Sequence, residues 1–224
     1  YMNPILDPGK SCGSSGGWEP GGICGYYDYE QIHDDLAMHA AMVYDFAFDY
    51  LSRHPHAHLK EIGKDTKSVA VEVFKRFIDI GLVRGGKSGN WNVNGWNMML
   101  RPVLVLDSDE AYPDGKGKEY YLNLLVNEST PYHDAIPDML KTYDPVTGLW
   151  PESPGYSFGT IQMLLDWAAP LKRAGIDIIA GNPILQKAAM AVFPWMDDAA
   201  NMVVFGDSRG GSANFQTFEN LLAY

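Results

Sequence analysis

Helical spacing of apolar residues runs through most of this sequence and leaves almost no segment with the alternation of a β-strand. Apolar side chains recur every three or four residues, as they do on one face of a helix. The predicted helices run from about Tyr27 to Arg53, Thr66 to Leu82, Val93 to Leu106, Lys116 to Asn127, Tyr132 to Tyr143, Tyr156 to Arg173 and Ile184 to Met196, and a last one begins near Ala213. This series predicts an all-α fold of antiparallel helical hairpins.

Local signals support several of these bounds. Asp65 is a good N-cap for the second helix, and His54-Pro55 is expected to end the first. Pro102 is expected to kink the third helix, and Pro137 to interrupt the helix from Tyr132 to Tyr143. Only residues 202–205 (Met-Val-Val-Phe) are predicted to be extended.

The sequence divides into a loop segment and a helical domain. Residues 1–25 are rich in glycine and proline and are predicted to be a loop, whereas residues 26–224 form the domain. Cys12 and Cys24 flank most of the glycines of this loop segment. Either a disulfide between them or two free thiols fits their spacing. Because the chain starts with Tyr1 and ends in a helical pattern, we expect it to be part of a longer protein.

Charge and hydropathy narrow the function classes. The net charge is −11, which argues against nucleic acid because binding to phosphates depends on Lys and Arg. An anionic sugar stays compatible, since a cleft can be locally basic on an acidic protein. No apolar run is long enough for a membrane span, and no signal peptide is visible. Aromatic residues make up 12% of the chain, and those in polar loops suit the C–H faces of sugars.

Two segments carry unusual side chains. In residues 89–97 (Gly-Asn-Trp-Asn-Val-Asn-Gly-Trp-Asn), one Asn is explained as an N-cap and the Trp rings as packing, but four Asn residues exceed that need. An amide directed into a cleft is the functional interpretation. In residues 148–159 (Gly-Leu-Trp-Pro-Glu-Ser-Pro-Gly-Tyr-Ser-Phe-Gly), two prolines stiffen a loop that places Glu152 and Tyr156 at a helix start. A packed loop with a core Tyr is the structural alternative.

Together these motifs resemble the heparinase II/III-like and alginate lyase group of polysaccharide lyases. Gly148, Glu152 and Tyr156 match a Gly-x-x-x-Glu-x-x-x-Tyr loop, and residues 205–208 (Phe-Gly-Asp-Ser) resemble a late segment of the same domain. The resemblance covers about residues 26–208. It implies an incomplete (α/α) toroid, a C-terminal β-sandwich domain that this chain lacks, and a secreted or periplasmic bacterial protein.

The resemblance also implies β-elimination at a uronic acid in an acidic polysaccharide. Tyr156 would act as base, acid or both, and Asn92 would neutralise the uronate carboxylate, with Asn90 and Asn94 as the other choices. Some members carry a His directly after the Asn, whereas Val93 stands there in this chain. The family also uses a His from the β-sandwich, so the site would be incomplete. No cofactor and no metal site are expected.

Other residues are candidates for contacts with the substrate or for assisting catalysis. A tyrosine base needs a cation or hydrogen-bond donors to lower its pKa from about 10. The candidates for that role are Arg101 and His133. The candidates for holding the sugar are Arg101, His133, Arg84, Lys87, Glu152, Trp91, Trp96, Trp150, Trp18 and Tyr26. For each, packing, ion pairing or solvation is the structural alternative, and Glu152 equally suits a role in accepting backbone N–H bonds.

Two alternative functions remain open from the sequence. A glycoside hydrolase would need paired carboxylates, which Glu152 with Asp28, Asp34 or Asp35 would supply. A non-catalytic glycan-binding protein of the same fold would bind uronic-acid polymers without altering them.

Overall fold

The computed structural model describes residues 36–84, 87–208, 218–219 and 222. The described part is mostly helical and contains no β-strand, which confirms the all-α prediction. No helix in these residues has the length and the hydropathy needed to cross a membrane. The predicted loop at residues 1–25, including Cys12 and Cys24, lies outside the described residues.

The chain forms two compact units. The first comprises residues up to 87 and residues 94–135, and the second comprises residues 88–93 and those from 136 onward. The helices are α1 (Leu36–Arg53), α2 (Ala57–Glu61), α3 (Thr66–Arg84), α4 (Gly89–Leu104), α5 (Lys118–Val126), α6 (Ile136–Leu140), α7 (Pro154–Arg173) and α8 (Pro183–Ala191), with 3-10 turns at Asp109–Ala111 and Phe193–Trp195.

In the first unit, α1 packs against α3. The buried face of α1 contains Ala37, Ala41 and Tyr44, whose spacing of four and three residues places them on one side of the helix. The Tyr44 ring meets the Phe74 ring of α3 edge to face, with centroids 5.7 Å apart. Small residues on α1 thus let the aromatic residues of the pair fill the interface.

In the second unit, α7 packs against α8. Both helices begin with proline in their first turn, where the missing N–H costs no hydrogen bond. Their buried faces are apolar: Ile161, Leu164, Leu165, Ala168 and Leu171 on α7, and Leu185, Ala188 and Ala189 on α8. This packing fixes α7, the longest described helix, whose first turn contains Tyr156.

Four predicted helices agree well with the structure. Both ends of α3 and of α5 fall within two residues of the predicted bounds. The same holds for the end of α1 at Arg53 and for the end of α7. The start predicted near Tyr27 is outside the described residues. Asp65 caps α3 as expected, because its Oδ1 accepts the backbone N–H of Ser68 at 2.9 Å.

Three predictions of bounds are wrong. The helix predicted for residues 132–143 is confined to α6, since residues 130–133 form a tight bridged turn and Pro137 lies in the first turn of α6 rather than interrupting a longer helix. The helix predicted to reach Met196 ends as an α-helix at Ala191 and continues as a 3-10 turn. The third helix begins at Gly89, four residues before the prediction, and includes the Asn-Trp segment.

Candidate functional site

The start of α4 is in contact with a side chain from a segment 62 residues later. Ser88 and Gly89 both have positive φ angles, 63° and 64°, so the backbone reverses sharply just before the helix. The Oε1 atom of Glu152 accepts a long hydrogen bond of 3.5 Å from the backbone N–H of Asn90. A carboxylate is favourable at a helix N-terminus, where N–H groups lack partners. The two sequence motifs are therefore in contact.

The third motif segment meets the same loop. The Oγ atom of Ser208 accepts the backbone N–H of Gly155 at 2.7 Å. A Cβ atom on Gly206 would lie 3.4 Å from the Cβ of Ser153. The loop that carries Glu152 thus contacts residues 89–90 on one side and residues 206–208 on another. All three segments belong to the second unit.

The loop before α7 is ordered by its own hydrogen bonds. Ser157 Oγ donates to the carbonyl of Trp150 at 3.2 Å. Gly148 has a φ angle of 76°, and a Cβ atom there would lie 2.9 Å from the backbone carbon of Lys187. Lys187 in turn donates from Nζ to the carbonyl of Pro145 at 2.7 Å. These contacts anchor the loop to α8 and fix the direction from which α7 begins.

Tyr156 lies in the first turn of α7 with 39% of its surface exposed. Part of this residue is therefore open to solvent, as a residue that contacts substrate must be. Glu152, four residues earlier, is half-buried. Trp150, which the sequence suggested as a substrate contact, is instead a core residue, because it is 1% exposed and packs edge to face on Tyr143 with centroids 4.9 Å apart.

The asparagines at the start of α4 differ in exposure. Asn90 and Trp91 are half-buried, whereas Asn92 is 1% exposed. Since Asn92 is the predicted partner of the uronate, its burial is unfavourable for that role: an amide can act on a substrate carboxylate only where the substrate reaches it. Asn90 is the better placed of the two.

Residues 94–97 of the Asn-Trp motif lie in the first unit. Trp96 is fully buried, and its Nε1 atom donates a hydrogen bond to the carbonyl of Leu125 at 2.9 Å. This predicted sugar contact is therefore a core residue whose polar atom already has a partner. Asn94 and Arg101 are half-buried.

His133 is also buried, in a constrained turn of the first unit. Thr130 N–H donates to the carbonyl of His133 at 2.8 Å, and Lys87 Nζ donates to the carbonyl of Thr130 at 3.1 Å. Lys87 also lies 3.5 Å from Oδ1 of Asp134. Burial, together with the positive charge of Lys87, lowers the pKa of His133 to about 4. His133 and Lys87 thus hold this turn, and His133 is neutral at pH 7.

Some of the predicted site residues lie outside the described residues. Trp18, Tyr26, Asp28, Asp34 and Asp35 precede the described residues, and the side chain of Arg84 is not described. Ser208 was matched only as part of a motif, and its role as the acceptor for Gly155 was not predicted. A serine 53 positions away gives no local signal of such a contact.

Comparisons with protein-family models, with curated proteins and with solved structures found no significant match. The residues and their contacts are therefore the basis for assigning a function.

Proposed function

We propose that this chain is the helical part of a polysaccharide lyase that cleaves a uronic-acid-containing polysaccharide by β-elimination. The observation that supports this most directly is the meeting of three motif segments, residues 89–90, 148–156 and 206–208, through Glu152 and Ser208. Residues this far apart in sequence do not converge for local reasons. Their convergence beside an exposed tyrosine is what a composite active site requires.

In the proposed reaction, Tyr156 reacts as the phenolate, whose oxygen removes the proton from C5 of the uronate and thereby becomes a neutral phenol. The electron pair of that C–H bond forms the C4–C5 double bond, and the C4–O glycosidic bond breaks. The leaving oxygen takes a proton from the Tyr156 hydroxyl, so Tyr156 returns to its starting state. One group serves as base and then as acid, and no net proton is consumed.

We assign the neutralising amide to Asn90 rather than to the buried Asn92. The Asn90 side chain is half-buried in the first turn of α4, where the helix dipole also favours an anion. An amide donor aimed at the uronate carboxylate stabilises the negative charge that develops as the C5 proton leaves. Trp91 provides an adjacent half-buried ring.

The wider assignment belongs to the same proposal. The helices would form part of an (α/α) toroid, the substrate would be an acidic polysaccharide, and a β-sandwich domain of the same longer protein would complete the site. The protein would act outside the cytoplasm, in the periplasm or as a secreted protein. Glu152 would hold the loop, since its carboxylate accepts the Asn90 N–H.

The decisive experiment is an ultraviolet assay of the full-length natural protein on a panel of uronic-acid polymers. β-Elimination produces an unsaturated uronide that absorbs ultraviolet light, whereas hydrolysis produces reducing ends without that absorbance. Tyr156→Phe removes the proton-transferring oxygen and is expected to lower the rate at least about 100-fold. Tyr132→Phe, a change at an exposed tyrosine of the first unit, serves as the matched control and is expected to keep the rate.

Glu152→Gln separates the lyase from the hydrolase. The amide oxygen of Gln still accepts the Asn90 N–H, so a lyase keeps most of its activity, whereas a hydrolase that uses this carboxyl group loses it. Reducing ends without ultraviolet absorbance, abolished by Glu152→Gln, would replace the lyase with the hydrolase. Full activity of Tyr156→Phe would refute the proposed mechanism.

A further inference from the structure

The first turn of α7 takes its cap from a remote segment. Ser153 occupies the N-cap position, where a serine oxygen usually accepts a backbone N–H of the first turn, but its side chain makes no such bond. Instead, the N–H of Gly155, the second residue of the helix, donates to Oγ of Ser208 at 2.7 Å. The serine that caps α7 is therefore 53 positions away from the N–H that it accepts.

This arrangement leaves the hydroxyl of the local serine unsatisfied. Ser153 is 8% exposed, and its Oγ atom has no hydrogen-bond partner among the described residues. A Cβ atom on Gly206 would lie 3.4 Å from the Cβ atom of Ser153, so residues 206–208 lie against this side chain and help to exclude water from it. A buried hydroxyl in this position has lost its bonds to water without gaining a protein partner, which destabilises the arrangement.

A second arrangement would satisfy both serines. The backbone of Ser153 already has the extended conformation of an N-cap residue, with φ −61° and ψ 161°, so rotation of its side chain is enough to cap α7 locally. Its oxygen would then accept the N–H of Gly155 or of Tyr156. Ser208 would be free to move away with residues 206–208 and to bond to water. The hydrogen bond gained by Ser153 offsets the contacts that residues 206–208 lose, so the two arrangements are close in free energy.

Residues 206–208 follow a glycine at which the chain can turn. The residues just before it are fixed, because Val203 N–H donates to the carbonyl of Trp195 at 2.7 Å and the Phe205 ring meets the Trp195 ring edge to face, with centroids 5.5 Å apart. Gly206 is exposed and has a φ angle of 64°, in a region that glycine enters and leaves at little steric cost. Residues 206–208 can therefore move while Phe205 stays on Trp195.

We propose that Ser208 and Ser153 are alternative caps of α7, and that exchange of the cap from Ser208 to Ser153 releases residues 206–208 from the turn that carries Tyr156. In the closed state, which the structure shows, Ser208 contacts the residue directly before Tyr156. In the open state, that side of the turn is free for a substrate, and Ser153 keeps the helix capped. The effect on substrate access rests on the proposed function, whereas the exchange of caps does not.

A double-mutant cycle on the full-length natural protein, measured by urea unfolding, tests the exchange. Ser208→Ala should lower the folding equilibrium constant only about threefold, because Ser153 takes over the cap. Ser153→Ala should not lower it, since it removes an unsatisfied hydroxyl. When Ser208→Ala is added to Ser153→Ala, no cap remains, and the constant should fall about tenfold. Ser52→Ala, at an exposed serine of α1, is the control and should have the same small effect in every background.

Thiol labelling measures the release of residues 206–208 separately. Ser153→Cys places a thiol beneath them, and mass spectrometry reports the rate at which residue 153 is labelled. In this background, Ser208→Ala should raise that rate about tenfold, because it removes the bond that holds the closed state. Ser208→Thr keeps the hydroxyl oxygen and should keep the slow rate. A thiol from Ala168→Cys, buried about three turns further along α7, should stay slow with or without Ser208→Ala, which shows that the fold is intact.

Each measurement has an outcome that contradicts the proposal. Equal effects of Ser208→Ala with and without Ser153 would refute the alternative caps, and an unchanged labelling rate at residue 153 would refute the release. In the lyase assay, Ser208→Ala should lower the KM about threefold, because more of the protein is open before substrate binds. An unchanged or higher KM would refute the role in substrate access. Unfolding and labelling as expected, without ultraviolet-absorbing product from the unmutated protein, would refute the lyase and leave the exchange of caps standing.

Discussion

Two asparagines in the same helical turn differ in burial, and we therefore expect one to act in catalysis and the other in packing. Asn90 is half-buried at the start of α4, whereas Asn92 is 1% exposed. We expect Asn90→Ala to lower lyase activity about 100-fold, the loss typical of one donor that stabilises developing charge. It should change the free energy of unfolding by less than about 0.5 kcal/mol. Asn92→Ala should instead destabilise the fold by about 1–3 kcal/mol, because it removes a buried polar group whose neighbours are arranged around it.

Urea unfolding and the ultraviolet assay on the same preparations distinguish these outcomes. Asn127→Ala, which changes an exposed asparagine after α5, is the control for both measurements. If Asn92→Ala abolishes activity at unchanged stability while Asn90→Ala stays active, then Asn92 is the functional amide and must become accessible when substrate binds.

Sequence patterns predict single residues well where the contact is local. Asp65 and Ser68 are three positions apart, so the cap of α3 follows from the chain itself. The burial of Trp96 and Trp150 does not, because a ring beside Asn or Pro is equally suited to a sugar or to a core. Only the packed neighbours, Leu125 in one case and Tyr143 in the other, decide between the two.

At the scale of elements, helix existence is more predictable than helix starts. The apolar spacing in α3, α5 and α7 is produced by burial of one face, and that spacing is visible in the sequence. The start of α4 has a contact with Glu152, which is remote in sequence, and follows positive φ angles at Ser88 and Gly89. Helix propensity alone disfavours the Asn-Gly-rich segment, so the early start of α4 could not be predicted locally.

The loop that delivers Tyr156 is predicted to depend on Gly148. An alanine there would have a Cβ atom 2.7 Å from Cγ of Lys187 and 2.9 Å from its backbone, in addition to the strain of a φ angle of 76°. We expect Gly148→Ala to destabilise the fold by about 2–4 kcal/mol, measured by urea unfolding. Gly175→Ala is the matched control, since Gly175 also has positive φ but no atom lies within 4 Å of its Cβ position.

Comparing the two variants separates the steric clash at residue 148 from the backbone strain of a positive φ angle, which both positions share. Gly175→Ala should cost about 1 kcal/mol, the strain alone. Equal losses for the two variants would mean that α8 moves aside without cost, and that the loop before α7 is not anchored there as described.

At the scale of the whole molecule, the sequence predicts the all-α fold class, but not the division of the chain into two compact units. The Asn-Trp motif crosses from one compact unit to the other, so Asn90 and Trp96 belong to different units although one helix carries both. A continuous helical pattern contains no signal of that division. The contacts that unite the three motif segments were likewise not readable, because each joins residues more than 50 positions apart.

The stability of the whole molecule is expected to fall in mild acid because of His133. This residue is 2% exposed, and its Nε2 atom has no hydrogen-bond partner among the described residues. Burial, together with the charge of Lys87, lowers its pKa to about 4, whereas the unfolded chain has a His pKa of about 6.5. Between these two values the unfolded state binds the proton and the folded state does not. Stability from neutral His133 is therefore complete above pH 6.5 and is lost as the pH falls toward 4.

The loss through this window amounts to about 3 kcal/mol, from 1.36 kcal/mol for each pKa unit. Urea unfolding from pH 7.5 to pH 4.5 measures it, and the comparison with His133→Gln removes the contribution of the carboxylates that titrate in the same range. The variant should start from a lower stability at pH 7.5 but follow a shallower slope, whereas His58→Gln, at an exposed histidine of α2, should keep the slope of the parent. If the unfolding free energy of His133→Gln keeps the pH slope of the parent, then His133 is protonated in the folded protein. The turn held by Lys87 must then open to water at a free energy well below that of global unfolding.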